Sequence, residues 1–398
     1  MKKVVSFVLM ACMAVMLFAA CGQAASSSQA ANSSQPAGSE TVSGDAIVIG
    51  GLAPLTGGVS QYGIASSNGS KLAVEEINAA GGILGRQIEF VLLDEKGDAT
   101  EAINAYNRLV QQDGIVALVG DITTKPTIAV AQSAAEDGIP MITPTATGAE
   151  VTQAGENIFR VCFTDPYQGE LMAHYAAEKL GAKTVAVLYD TGDDYSQGVA
   201  DTFEATAEEL GLTVTAKEGY QTGATDFNAQ LTKIKQDNPD VIMAPCYYED
   251  AAKILTQARA LGIDTPFLGP DGWDGVLTQL KDAGADTSVL NNSFYSSQYS
   301  SANASPELEA FLNTYKETYG DEANMFSVLG YEAMHAMAAA IEAAGSTDSA
   351  AIVEALKNLE VQGLTGTISY KGGNDPVRNA YIIEFKDGEE EVLGTYTF

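Results

Sequence analysis

Positive charge is scarce in this sequence. It holds 21 lysines and arginines against 52 aspartates and glutamates, a net charge of −31. So acidic a surface repels nucleic acid and anionic lipid, and neither is expected as a partner. Cysteine is also rare. Of four, Cys12 and Cys21 lie in the N-terminal segment, which leaves Cys162 and Cys246. Two such residues build no disulfide framework, and both read as small apolar residues near the ends of buried strands. The two histidines, His174 and His335, stand far apart within helical patterns. His-Glu-x-x-His is absent and no Cys/His cluster has zinc spacing, so no metal is expected. Gly-x-Ser-x-Gly, Walker A and Gly-x-Gly-x-x-Gly are all missing. The nearest Walker-like fragment, Leu180 to Thr184, reads as a helix ending at Gly181 and a strand starting at Thr184. Asp193-Asp194 reads as a solvated turn. These absences speak against an enzyme and against a cofactor.

The N-terminus is informative about compartment. A short basic start, Met1-Lys2-Lys3, precedes the uncharged and mostly apolar run Val4 to Ala20 and then Cys21. This is the layout of a secretory signal peptide over residues 1–20. Leu17 to Gly22 resembles a bacterial lipobox, in which the cysteine, here Cys21, becomes the lipidated first residue. Phe18 stands where leucine is usual. A signal anchor and plain cleavage without lipid remain the alternatives. Residues 21–45 are rich in Ala, Ser, Gln and Gly and hold no aromatic residue. Such a segment buries too little apolar surface to offset its ordering entropy and reads as a flexible linker. No later run is apolar enough to span a bilayer.

From Ala46 the chain alternates. Strands are expected at Ala46 to Gly50, Gln87 to Asp94, Ile115 to Gly120 and Ile139 to Thr143, with helices at Ser67 to Ala80, Thr100 to Gln112 and Lys125 to Glu136. A second series follows. Its strands are Thr184 to Tyr189, Leu212 to Lys217, Asp240 to Pro245 and Pro266 to Leu268. Its helices are Tyr167 to Leu180, Gln197 to Leu210, Asp226 to Gln236 and Asp250 to Leu261. Apolar strands between helices indicate parallel sheets covered on both faces, and two series indicate two α/β lobes. Helices at Pro306 to Tyr319, Phe326 to Ala344 and Ser349 to Leu359 come next. A strand at Thr365 to Tyr370 and a hairpin around Lys386-Asp387-Gly388 close the chain. Ligands of parallel α/β sheets sit at the carboxyl ends of the strands, so the facing edges of two lobes define where binding is expected.

Several segments, in order, resemble the substrate-binding proteins of branched-chain amino acid ABC importers, which are type I periplasmic binding proteins. They are Leu52 to Gly57 running into Gln61-Tyr62-Gly63, Glu76 to Gly85, Gly138 to Thr147, Asp193 to Gly198, Tyr247-Tyr248-Glu249 and Gly269-Pro270-Asp271-Gly272. The resemblance implies two Rossmann-like lobes with parallel sheets joined by a three-stranded hinge. Residues 46–164 with 298–377 would form one lobe, and 165–297 with 378–398 the other. It also implies an extracytoplasmic protein held at the bacterial membrane by lipid, a monomer, with an amino acid ligand, a partner permease and no reaction.

The resemblance also assigns a site. Thr124 and Thr147 would hold the ligand carboxylate, helped by the helix N-terminus near Lys125. The carbonyl of Thr145 would face the ammonium, with Ala146 between the two threonines. Asp271 would pair with the ammonium, where relatives often carry Glu. Tyr62, Tyr195, Tyr247 and Phe326 would wall the pocket, and Trp273 would cap it. A zwitterion needs donors at one end and acceptors at the other, which these residue types supply. Read without the resemblance, the threonines are also good helix caps, Pro270-Asp271-Gly272 a good turn, and the aromatics good core residues. A sensory subunit of the same fold, or transport of a different small amino acid or amide, is the alternative.

Overall fold

The computed structural model describes residues 45–302 and 304–398. The signal peptide, Cys21 and all of the linker but its last residue lie outside the described residues. The first series runs β1 (Ile47–Ala53), α1 (Ser60–Ala79), β2 (Ile88–Asp94), α2 (Ala99–Arg108), β3 (Ala117–Val119), α3 (Thr124–Asp137), β4 (Met141–Thr143), α4 (Ala149–Gln153) and β5 (Ile158–Arg160). Its strands form a parallel sheet in the order β2-β1-β3-β4-β5. The second series runs α5 (Asp165–Glu178), β6 (Thr184–Asp190), α6 (Asp194–Glu209), β7 (Thr213–Tyr220), α7 (Asn228–Asp237), β8 (Val241–Met243), α8 (Tyr248–Ala260), β9 (Phe267–Gly269), α9 (Val276–Asp282) and β10 (Ser293–Ser297).

The chain then returns to the first sheet through α10 (Pro306–Tyr319), α11 (Met325–Ala344), α12 (Ser349–Lys357) and the hairpin β11 (Glu360–Gly363) and β12 (Gly366–Ser369). It crosses a third time into β13 (Tyr381–Lys386) and β14 (Glu389–Thr395). The second sheet has the order β14-β13-β10-β9-β8-β6-β7, parallel from β7 to β10 and antiparallel at β13 and β14. Asp387 and Gly388 turn the final hairpin with φ of 53° and 81°. Positive φ at both turn positions is what a two-residue hairpin of this hand requires. None of the described helices is long and apolar enough to cross a membrane.

Most expected elements form within a few residues of their expected bounds. Two differences matter. Helix α1 begins at Ser60 rather than Ser67. Its small residues Gly63, Ser66, Gly69 and Ser70 serve close packing. A Cβ on Gly69 would lie 1.9 Å from the Ser327 carbonyl oxygen, and one on Gly330 would lie 2.1 Å from that of Ser66. Both obstacles are backbone, so neither can swing aside. Gly69→Ala is therefore expected to destabilise the protein by at least about 1–3 kcal/mol, read as a lower urea midpoint. Second, α4, β5, α9 and β10 were not anticipated. Strand β10 reads Ser-Phe-Tyr-Ser-Ser yet is buried at all five positions. Its serines are bonded internally, Ser296 to Gln168 and Ser297 to the Tyr299 carbonyl.

Cys162 and Cys246 are free and buried just beyond the ends of β5 and β8, as expected. The third crossing is held by a fully buried ion pair. Arg378 Nη2 lies 2.6 Å from Glu332 Oε2 on α11, and Glu332 Oε1 accepts from the Thr365 amide at 2.7 Å.

Candidate functional site

The carboxyl ends of both sheets face each other. On the first sheet, β3 leads through residues 120–123 into α3, and β4 leads into the loop Pro144–Gly148. On the second, β6 leads to Tyr195, β8 to Tyr247 and β9 to Asp271. The first turns of α1 and α11 add Tyr62 and Phe326. These elements line a narrow cavity of about 10 Å³, with Tyr62, Thr124, Thr145, Thr147, Tyr195, Tyr247, Asp271 and Phe326 around it, together with Ile122, Thr123 and Gly272, so the walls stand close together.

Eight of the ten residues that the sequence nominated thus meet at one cavity. The other two do not line it. Ala146 has both backbone groups engaged elsewhere: its amide donates to Thr143 Oγ1 at 3.1 Å and its carbonyl accepts from Arg160 Nη1 at 2.9 Å. Trp273 is buried in the core of the second lobe, where Nε1 donates to the Ala244 carbonyl at 2.9 Å and the ring faces Phe385. Its size is spent on filling the space above Gly269, where a Cβ would strike the indole.

One end of the cavity is acidic. Asp271 is 3% exposed, and its Oδ1 accepts from the Tyr195 hydroxyl at 2.7 Å. The same hydroxyl accepts from the Gly272 amide at 2.8 Å. Burial raises the Asp271 pKa to about 6, against the opposing hydrogen bonds of Tyr195 and Gln168. No cation faces it among the lining residues. Tyr195 stacks on Tyr247 with ring centroids 4.9 Å apart, which orients the hydroxyl.

The other end is a donor surface. Thr123 precedes α3 in extended backbone and makes no side-chain cap, so the first amides of this 14-residue helix remain available. Thr124 Oγ1 accepts from the Gly148 amide at 3.1 Å, which leaves its own proton free to donate. Thr145 differs, because its hydroxyl donates to the Ile122 carbonyl at 2.8 Å and ties the two first-lobe loops together.

The side chains of Tyr62, Lys125 and Gln61 reach across the cleft. The Tyr62 hydroxyl donates to the Gly272 carbonyl at 2.5 Å and accepts from the Tyr248 amide at 3.1 Å, while its ring stacks on Phe326 at 4.1 Å. Lys125 Nζ reaches the Gly192 carbonyl at 2.8 Å, and Gln61 bonds Gln279 at 3.2 Å. The structure therefore has its two lobes drawn together.

The sequence profile of the periplasmic binding protein family matches residues 46–390. The chain belongs to this family. It is 31% identical to the leucine-, isoleucine-, valine-, threonine- and alanine-binding protein of Pseudomonas aeruginosa over 326 residues, 81% of this chain and 85% of that protein. The crystal structure of a leucine-binding protein from Thermotoga maritima superposes with a TM-score of 0.82 at 34% identity, covering 88% of this chain and 98% of that one. A branched-chain amino acid transporter substrate-binding protein from Streptococcus pneumoniae, solved with isoleucine, gives 0.81 at 35% identity, covering 87% and 99%. Periplasmic binding proteins capture solutes and are not enzymes.

The residues behind the lining are not among those that the sequence nominates. Arg160, Asp165 and Gln168 are each fully or nearly fully buried. A signal was present: Arg160 is a lone charge inside Ile-Phe-Arg-Val-Cys-Phe, and Asp165 and Gln168 stand one helical turn apart beside a proline.

Proposed function

We propose that this chain is the extracytoplasmic substrate-binding component of an ABC importer, and that it binds an amino acid with a branched aliphatic side chain between its lobes. The observation that carries the reading is the polarity of one cavity: the unpaired carboxyl of Asp271 at one end and the uncapped N-terminus of α3 with Thr124 at the other. A zwitterion is the small ligand whose ends match both. The aromatic walls from Tyr62, Tyr195, Tyr247 and Phe326 offer apolar surface to its side chain.

In this reading residues 46–164 with 298–377 form one lobe and 165–297 with 378–398 the other. The ligand first meets Thr124, Thr145 and Thr147. Tyr195, Tyr247 and Asp271 reach it as the second lobe closes, so contacts available only on closure stabilise the closed state. The permease recognises that state. Cys21 carries the lipid that holds the protein, a monomer, at the membrane after removal of residues 1–20.

The test uses the body from about Ala46, unfolded and refolded to strip carried-over ligand, then titrated calorimetrically with each common amino acid. Leucine, isoleucine or valine should bind and, at a hundredfold excess over Kd, stabilise the protein by about 2.7 kcal/mol, raising its melting temperature. Binding of alanine or threonine alone would keep the zwitterion site and reassign the side-chain pocket. Binding of none would sink the reading.

A further inference from the structure

Behind the cavity, a short polar chain connects its two ends. Asp165 opens α5, and its amide donates to the Thr147 carbonyl, on the first-lobe side, at 2.9 Å. Gln168, one turn later and fully buried, reaches the second-lobe side. Its Oε1 accepts from the Asp271 amide at 2.8 Å and from Ser296 Oγ at 3.0 Å. Its Nε2 donates back to Asp165 Oδ1 at 3.4 Å. Asp165 Oδ2 is buried without a hydrogen-bond partner. Burial pushes this carboxyl well up, against the neighbouring Thr147 hydroxyl. Neither residue lines the cavity.

We propose that Asp165 and Gln168 form a strut that sets the distance between Thr147 and Asp271, and thereby selects α-amino acids over β-amino acids. The inference rests on the zwitterion reading above and adds to it the source of the spacing. In an α-amino acid a single carbon separates ammonium and carboxylate. A β-amino acid inserts one methylene between them. A site with fixed ends rejects the longer spacing, whereas a site whose acidic end can drift accepts both. Gln168 holds the backbone amide of Asp271 itself, so it controls where the anchoring carboxyl sits without touching the ligand. It is a positioning residue.

The experiment compares Kd for the best of leucine, isoleucine and valine with Kd for its β-homo analogue, in the wild-type body and in variants. The wild type should favour the α-amino acid by about 10–200-fold, the range one methylene commands in a fitted site. Gln168→Met has similar length but no acceptor. It should weaken the α-amino acid by about tenfold or more and shrink the α/β ratio to about threefold or less. Gln168→Glu keeps an acceptor oxygen toward the Asp271 amide and should restore most of the ratio. A merely structural role would lower both affinities together and leave the ratio unchanged, and that result, or no change in either affinity, overturns the strut. Should Gln168→Met fail to fold by circular dichroism, Ser296→Ala removes one of the two donors on Gln168 and must narrow the ratio in the same direction. A wild type that binds no α-amino acid would defeat the underlying site reading instead, so the two failures are distinct.

Discussion

Asp271→Asn is expected to weaken binding of the amino acid by about 2–5 kcal/mol, because it leaves a buried ammonium without its counter-charge. The substitution keeps the size of the side chain and an acceptor for the Tyr195 hydroxyl, so folding should be little affected. Titration calorimetry at neutral pH reads the loss directly. The wild-type protein should also lose affinity in acid. Burial raises the Asp271 pKa to about 6, above its ordinary value of 3.8. The folded protein therefore holds this proton more tightly than the unfolded chain. Its contribution to stability is present at low pH and lost as pH rises through about 6. Ligand binding runs the other way, since the ammonium pairs with the ionised form. Affinity should be flat above pH 7 and fall by up to about tenfold per unit as pH drops below 6. Asp165 and Asp193 are also buried near the cleft with raised pKa values, Asp193 to about 7. The comparison with Asp271→Asn isolates the Asp271 part: the variant should be weak at every pH and lose most of the slope. An unchanged affinity in the variant would remove Asp271 as the ammonium anchor.

Arg160→Met is expected to lower stability by about 3–5 kcal/mol. Arg160 is wholly buried at the end of β5. Its Nη1 donates to the Ala146 carbonyl at 2.9 Å, its Nη2 to the Gly148 carbonyl at 2.8 Å and to Thr152 Oγ1 at 3.0 Å, and its Nε to Asp375 at 2.6 Å. The Asp375 side chain is 46% exposed, so the ion pair as such contributes little after solvent screening. The cost comes from the loss of the guanidinium donors: the Gly148 carbonyl loses its Arg160 bond, and the Ala146 carbonyl keeps only the weak thiol donor of Cys162 at 3.4 Å. Those carbonyls belong to the loop that carries Thr145 and Thr147. The variant should thus bind ligand more weakly as well as unfold at lower urea. Arg160→Lys keeps the charge but presents one head group in place of a planar fork, and it should recover only part of the loss. Equal stability of Arg160→Met and wild type would show that the loop holds itself.

The architecture and most of the candidate site were legible in the sequence because both depend on local pattern. Apolar runs alternating with amphipathic stretches determine two parallel α/β series, and the ends of their strands determine where binding is expected. The individual residues, Thr124, Thr147, Tyr195, Tyr247 and Asp271 as well as Tyr62 and Phe326, came through motif resemblance. What failed was whatever depends on contact between distant segments. The early turns of α1 hold small residues, and only the backbone of α11 at Ser327 explains them. Strand β10 is rich in serine and reads as exposed until Gln168 is seen to satisfy it. Trp273 and Ala146 neighbour true lining residues in sequence, yet the indole is drawn into the second-lobe core and the Ala146 carbonyl is claimed by Arg160. Burial of a polar group is decided by its partners, and its partners here lie up to 260 residues away along the chain. The sequence by itself thus determined the two-lobed fold and the residue types at the cleft. The tertiary structure alone decided which side chains face the cavity and which hold its walls apart, because that choice is made by hydrogen bonds between segments that no local pattern connects.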